Sequence, residues 1–302
     1  MSDPDDALVL GFPEYPEQAR ALAQALELEC AIAEVHRFPD SESLVRLPPA
    51  LPSRVVVCRS LDRPNDKLVE LALTAATARS MGVQTLTLVA PYLCYMRQDK
   101  AFHPGEAVSQ MIIGRQLADQ FDEVITVDPH LHRTPHLQQA VPAARTVALT
   151  SAPLIGELIA GRFQAPLVLG PDGESEQWAR AVAQSCGCAY GVAQKHRQGD
   201  RDVEVALPHV ELAGRQVVLV DDIASTGRTL ARAAEQVLAQ GAADVQAVVV
   251  HALFVDDAMD HLRRAGVSAV WSTDSIRHPS NAIALAPLLA PALRPAQARV
   301  AR

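Results

Sequence analysis

Residues 217–229 read VVLVDDIASTGRT: an apolar run that ends in two carboxylates and then in a loop of small and hydroxyl-bearing residues. The uninterrupted run from Val217 to Val220 suits a strand covered on both faces of a parallel sheet. Asp221 and Asp222 then fall at the carboxyl edge, where open α/β sheets bind ligands. Ser225, Thr226, Gly227, Arg228 and Thr229 follow, opening an Ala-rich run to Gln240 that reads as a helix. Small side chains leave the loop's N–H groups free to surround an anion, and the helix dipole adds to the attraction. A sugar phosphate fits both parts, with its phosphate in the loop and its vicinal hydroxyls on the carboxylates. The competing reading is structural: Ser225 or Thr226 caps the helix and the acids solvate a strand end.

Four other stretches hold chemically capable groups. In PYLCYMRQDKAFHPGE, Arg97 offers a planar cationic fork suited to phosphate, Gln98 an amide suited to a base edge, and Asp99 a partner to hold one of them. Asp128, His130 and His132 alternate just past a strand end, as metal ligands can. Asp172 stands at the end of another strand, in PDGESEQ. Lys195, Arg197 and Arg201 lie in AQKHRQGDRDVEV, a charged stretch containing Gly199 that reads either as a mobile cationic loop or as a solvated hairpin.

Strands expected at Leu8–Phe12, Ala33–Val35, Arg54–Arg59, Thr85–Ala90 and Glu123–Val127 position these groups in the first half, alternating with helices at Pro16–Leu26, Asn65–Met81 and Ala107–Phe121. RFPDSES, with Phe38, Asp40 and Glu42, reads as a polar hairpin loop. The pattern restarts near Thr146, which divides the chain into domains 1–146 and 147–302. Ser151–Gly161 and Glu176–Cys186 then read as helices, Leu167–Gly170, Val245–Val250 and Ala269–Ser272 as strands, and Ala284–Leu293 as an apolar tail helix. Alternating strands and helices predict an α/β fold with two mostly parallel sheets covered by helices. At 302 residues the length suits two domains. The acidic start, MSDPDDALVL, does not read as a signal peptide, and no stretch reads as a bilayer span, so a cytoplasmic protein is expected. Five cysteines without a CxxC pair point to reduced thiols. A net charge of -8 argues against nucleic acid as a partner.

The acidic strand end with its S-T-G-x-T loop resembles the phosphoribosyl-pyrophosphate (PRPP) loop of type I phosphoribosyltransferases and PRPP synthetases. Over essentially its whole length, the chain resembles the ribose-phosphate pyrophosphokinase (PRPP synthetase) family, through RFPDSES, PYLCYMRQDKAF, VDPHLH, GPDGES, QKHR and VDDIASTGRT in the family's order. KAFHPGE is closer to archaeal-type members. The resemblance implies two tandem type I phosphoribosyltransferase-like domains, a homo-oligomer built from dimers, and transfer of the diphosphoryl group of ATP to the anomeric hydroxyl of ribose 5-phosphate, giving PRPP and AMP. It further implies that Phe38, Asp40 and Glu42 hold adenine, that Arg97, Gln98 and His130 contact ATP, and that His130 and Asp172 bind Mg2+. Asp221, Asp222 and Ser225, Thr226, Gly227, Arg228 and Thr229 would bind ribose 5-phosphate, with Lys195 and Arg197 catalytic. The sequence departs from the family at Gly173 and Glu174, where a basic residue or histidine followed by glycines is usual, and at Arg228, where a small residue is usual. The alternatives are a phosphoribosyltransferase that consumes PRPP and a non-catalytic subunit that regulates a synthetase.

Overall fold

The computed structural model describes residues 7–198, 202–206 and 211–294, which divide into two compact units. The first holds residues 7–149 together with 285–294, the second 150–284.

The first unit runs β1 (Ala7–Gly11), α1 (Pro16–Leu26), β2 (Glu29–Ile32), β3 (Glu34–Arg37), β4 (Ser43–Arg46), β5 (Arg54–Cys58), α2 (Pro64–Ser80), β6 (Thr85–Ala90), α3 (Ser109–Gln120), β7 (Glu123–Val127), α4 (Leu137–Ala140) and β8 (Arg145–Leu149). Six strands form one parallel sheet in the order β2-β1-β5-β6-β7-β8, and β3 and β4 form a separate antiparallel hairpin. Val55, Val56 and Val57 are all fully buried. Successive strand residues face opposite sides, so both faces of the sheet are covered, as the apolar runs require.

The second unit runs α5 (Ala152–Arg162), β9 (Leu167–Gly170), α6 (Glu176–Cys186), β10 (Ala189–Val192), β11 (Gln194–Gln198), β12 (Asp202–Ala206), β13 (Gln216–Ala224), α7 (Arg228–Ala239), β14 (Asp244–Ala252), α8 (Ala258–Arg264), β15 (Ala269–Thr273) and β16 (Asn281–Ile283). Its parallel sheet has the order β10-β9-β13-β14-β15-β16, and β11 and β12 pair as an antiparallel hairpin. The last helix, α9 (Ala286–Leu293), returns to the first unit. Among the described residues no helix is long and apolar enough to cross a membrane.

The fold departs from the sequence reading at several points. The strand expected at Ala33–Val35 is two strands broken at Ala33, whose N–H donates to the Gly11 carbonyl at 2.9 Å. The strand at which the sequence pattern restarts is β8, the edge of the first sheet, in register with β7 from Glu123↔Arg145 to Val127↔Leu149. The tail helix, which the sequence reading left in the second domain, packs on α1 and β8; Arg145 donates to the Ala292 carbonyl at 2.8 Å. Cys186 and Cys188 are joined as a disulfide, where reduced thiols were expected; Gly187, at φ +66, turns the chain so that their Cα atoms lie 5.3 Å apart. A C-x-C pair escapes a search for CxxC.

Candidate active site

In the second unit β13 continues past Val220 through both acids to Ala224. Asp221 is half-buried and Asp222 buried. The Asp222 N–H donates to Asp221 Oδ1 at 3.0 Å and the Ile223 N–H to Asp222 Oδ1 at 2.8 Å, which fixes both carboxylates. Burial, followed by the negative charges of Asp222 and Asp172, pushes the Asp221 carboxyl well above the usual carboxylate range. Asp172 reaches this cluster from the end of β9. It caps a 3-10 turn, Gly173–Ser175, accepting the Glu174 N–H at 3.1 Å, while Ser175 Oγ donates to the Asp172 carbonyl at 2.6 Å. A Cβ on Gly170 would stand 2.5 Å from Ser175 Oγ, so the turn needs glycine there. A Cβ on Gly173 would meet nothing within 4 Å, so that departure costs the fold no contact. Carboxylates gathered at one sheet edge are hard oxygen donors of the kind Mg2+ takes.

Beyond the acids, Gly227 at φ +68 is the N-cap of α7, and no side chain caps the helix. The structural reading of Ser225 and Thr226 as caps therefore fails. The loop's carbonyls are engaged elsewhere: Ala224 and Ser225 accept the N–H groups of Phe254 and Val255 at 2.9 and 3.0 Å, and Gly227 accepts that of Ala231 at 2.8 Å. The N–H groups of Arg228, Thr229 and Leu230 precede that first intrahelical bond and point out of the helix end, the arrangement that receives an anion. Thr226 and Arg228 are exposed, and Thr229 is half-buried.

Lys195 and Arg197 lie on β11, paired with Val205 and Val203 of β12. Their backbone is thus a hairpin strand; their side chains lie outside the described residues, as does Arg201.

In the first unit Phe38, Asp40 and Glu42 form the exposed tip of the β3–β4 hairpin. The Phe38 N–H donates to the Glu42 carbonyl at 2.8 Å, the Glu42 N–H to Asp40 Oδ1 at 3.2 Å, and the Phe38 ring stands edge-on to His36. Two bonds hold this hairpin to α2: Arg37 pairs with Asp66, and Ser43 Oγ donates to Glu70 Oε1 at 2.8 Å.

Arg97 is exposed and Gln98 half-buried after β6. Asp99 holds neither of them, contrary to expectation. Its side chain is only 3% exposed and takes Arg133 Nη1 on both oxygens, at 2.9 and 3.1 Å. Arg133 is distant in sequence, so adjacency suggested the wrong partner. Gln110 was also missed: it is buried on α3, donates to the Met96 carbonyl at 3.1 Å and accepts from Thr134 Oγ1 at 2.8 Å, holding the loop from beneath. His130 and His132 are half-buried after β7, their rings edge-to-face at 3.9 Å, next to Asp128 in the left-handed region at φ +38.

Residues 8–119 match the N-terminal domain of ribose phosphate pyrophosphokinase, and residues 147–281 the phosphoribosyl transferase domain. The ribose-phosphate pyrophosphokinase of Methanopyrus kandleri is 36% identical over 95% of this chain and 98% of its own length. Ribose-phosphate pyrophosphokinase 2 of Archaeoglobus fulgidus is 33% identical over 93% of this chain and 98% of its own. The crystal structure of phosphoribosylpyrophosphate synthetase from Mycobacterium smegmatis superposes with a TM-score of 0.82 at 23% identity, covering 94% of this chain and 96% of that one, and shares its fold.

Proposed function

We infer the reaction from the family, for this chain belongs to the ribose-phosphate pyrophosphokinase family. It is a ribose-phosphate diphosphokinase, making PRPP and AMP from ATP and ribose 5-phosphate. The anomeric oxygen attacks the β-phosphorus of ATP. The bond from that phosphorus to the α–β bridging oxygen breaks, AMP leaves with the electron pair, and the hydroxyl proton passes to solvent. A phosphoribosyltransferase that consumes PRPP would not account for the match of residues 8–119 to a pyrophosphokinase domain.

The observation that carries the site assignment is the uncapped N-terminus of α7 beside Asp221 and Asp222. In this reading the N–H groups of the 225–229 loop bind the 5-phosphate, Arg228 adds a cation at its rim, and the two acids take the ribose hydroxyls. Phe38 stacks on adenine while Asp40 and Glu42 accept from its edge; Arg97 and Gln98 contact ATP. Asp172 and His130 are each offered as a Mg2+ ligand, and the ion would neutralise phosphate charge. Lys195 and Arg197 bring cations to the diphosphoryl group as charge moves toward AMP, so they favour the transition state over the ground state. Such a transfer rests on positioning and electrostatics, and no strong general base is required. A homo-oligomer built from dimers, in which the Phe38 tip serves a neighbouring copy, and a cytoplasmic location complete the proposal.

Purified protein incubated with ATP, ribose 5-phosphate and Mg2+ should form AMP and PRPP in equal amounts. Absence of both products, or ADP in place of AMP, would overturn the reaction.

A further inference from the structure

At the carboxyl end of the first sheet a buried ion pair ties the β3–β4 hairpin to the end of β5, which is bonded in turn to the 91–99 loop. Glu70 and Arg59 are each about 4% exposed and paired. The Arg59 guanidinium lies 3.8 Å over the Phe12 ring and donates through Nε to Glu14 at 2.7 Å. The second Glu70 oxygen accepts from Ser43, the residue that follows Glu42 on the hairpin. On the other side, two residues beyond Arg59, the Leu61 N–H donates to the Tyr92 carbonyl at 2.9 Å, at the start of the loop that carries Arg97 and Gln98.

We propose that Glu70 is a positioning residue for ATP, setting the hairpin tip through Ser43 and its register against the 91–99 loop through Arg59. The inference rests on the assignment of Phe38, Asp40 and Glu42 to adenine. A buried carboxylate needs partners on both oxygens, and Arg59, shared with Glu14, occupies only one oxygen of Glu70. Its second oxygen instead takes a hydroxyl from the one hairpin strand that leads out of the adenine tip. Removing that hydroxyl leaves the Arg59–Glu70 and Arg37–Asp66 pairs in place and releases the hairpin only at Ser43.

The test is equilibrium binding of ATP and of ribose 5-phosphate, with thermal melting, for wild type, Ser43→Ala, Ser43→Thr and Glu70→Gln. Losing one hydrogen bond to a charged group should raise the Kd for ATP roughly tenfold in Ser43→Ala. The Kd for ribose 5-phosphate should hold while the melting temperature falls by only a few degrees, and Ser43→Thr should restore ATP binding. Glu70→Gln should show the same selectivity for ATP even where its melting temperature falls. Unchanged ATP binding in Ser43→Ala, or equal weakening of both ligands, would overturn the proposal. Wild type that binds ATP but forms no PRPP would instead refute the reaction and leave these binding results standing.

Discussion

Gly227→Ala separates the two jobs of the phosphate loop. Gly227 holds φ +68, a conformation that costs an L-residue roughly 1–2 kcal/mol. Its added Cβ would stand 3.2 Å from the Ala258 carbonyl oxygen and 3.4 Å from Leu262 Cγ, so α8 must also give way by a few tenths of an ångström. The glycine is therefore required first by α8 packing on the loop, and only then by any approaching phosphate. With 1 kcal/mol equal to about 2–4 °C in a protein of 150–250 residues, the variant should melt roughly 2–8 °C lower. Relief of the strain turns the N–H groups of Arg228 and Thr229 away from their common point. Losing one charge-assisted bond of about 1.5–3 kcal/mol weakens a ligand roughly ten- to a hundredfold. That loss should fall on ribose 5-phosphate and leave ATP bound as in wild type, read by calorimetric titration of each ligand below the melting transition. Gly161→Ala, where a Cβ meets nothing within 4 Å, is the control and should change neither ligand. Equal affinity for ribose 5-phosphate in Gly227→Ala and wild type would refute the phosphate assignment.

Lys195→Ala should lower kcat by roughly 10² to 10³ while ATP binding holds, and Lys195→Ala with Arg197→Ala should lose less than the product of the single effects, since both serve one state; steady-state rates with equilibrium titration check this. Asp221→Asn should raise the melting temperature of the metal-free protein while weakening ribose 5-phosphate binding. Because the folded carboxyl titrates above its unfolded value, the folded state binds more protons between the two, and the wild type loses stability as pH rises through the folded pKa. The gain in Asp221→Asn should accordingly be largest on the alkaline side and vanish in acid, as melting curves across pH will read. Arg133→Ala strands the nearly buried Asp99 carboxylate and should cost about 1–3 kcal/mol in denaturant titration, less than a fully buried pair because Arg133 is half exposed, with Arg133→Lys recovering part.

Periodicity and strand-end chemistry carried most of the fold: β6, β7, β9, α1 and α6 begin and end where the residue pattern places them. Short or mixed segments were less legible. β2, β3, β10 and β16 have three or four residues and are defined by pairing partners, which periodicity does not encode. β8 reads as a fresh start because Arg145–Leu149 alternates like any strand, and only its register with β7 assigns it to the first sheet. The acid pair and the phosphate loop were legible because strand, carboxylates, glycine and helix lie in consecutive residues. The convergence of Asp172 on Asp221, the Asp99–Arg133 pair and the Arg59–Glu70–Ser43 chain were not, since each joins positions brought together by the sheet alone.

The central claim is that the β- and γ-phosphates of ATP move together. ATP labelled at the β-phosphorus, incubated with ribose 5-phosphate, Mg2+ and the purified protein, distinguishes this directly. The label should appear on the sugar product, with AMP formed unlabelled. Label retained in ADP, with a single phosphate on the sugar, or ATP left intact under these conditions, would contradict it.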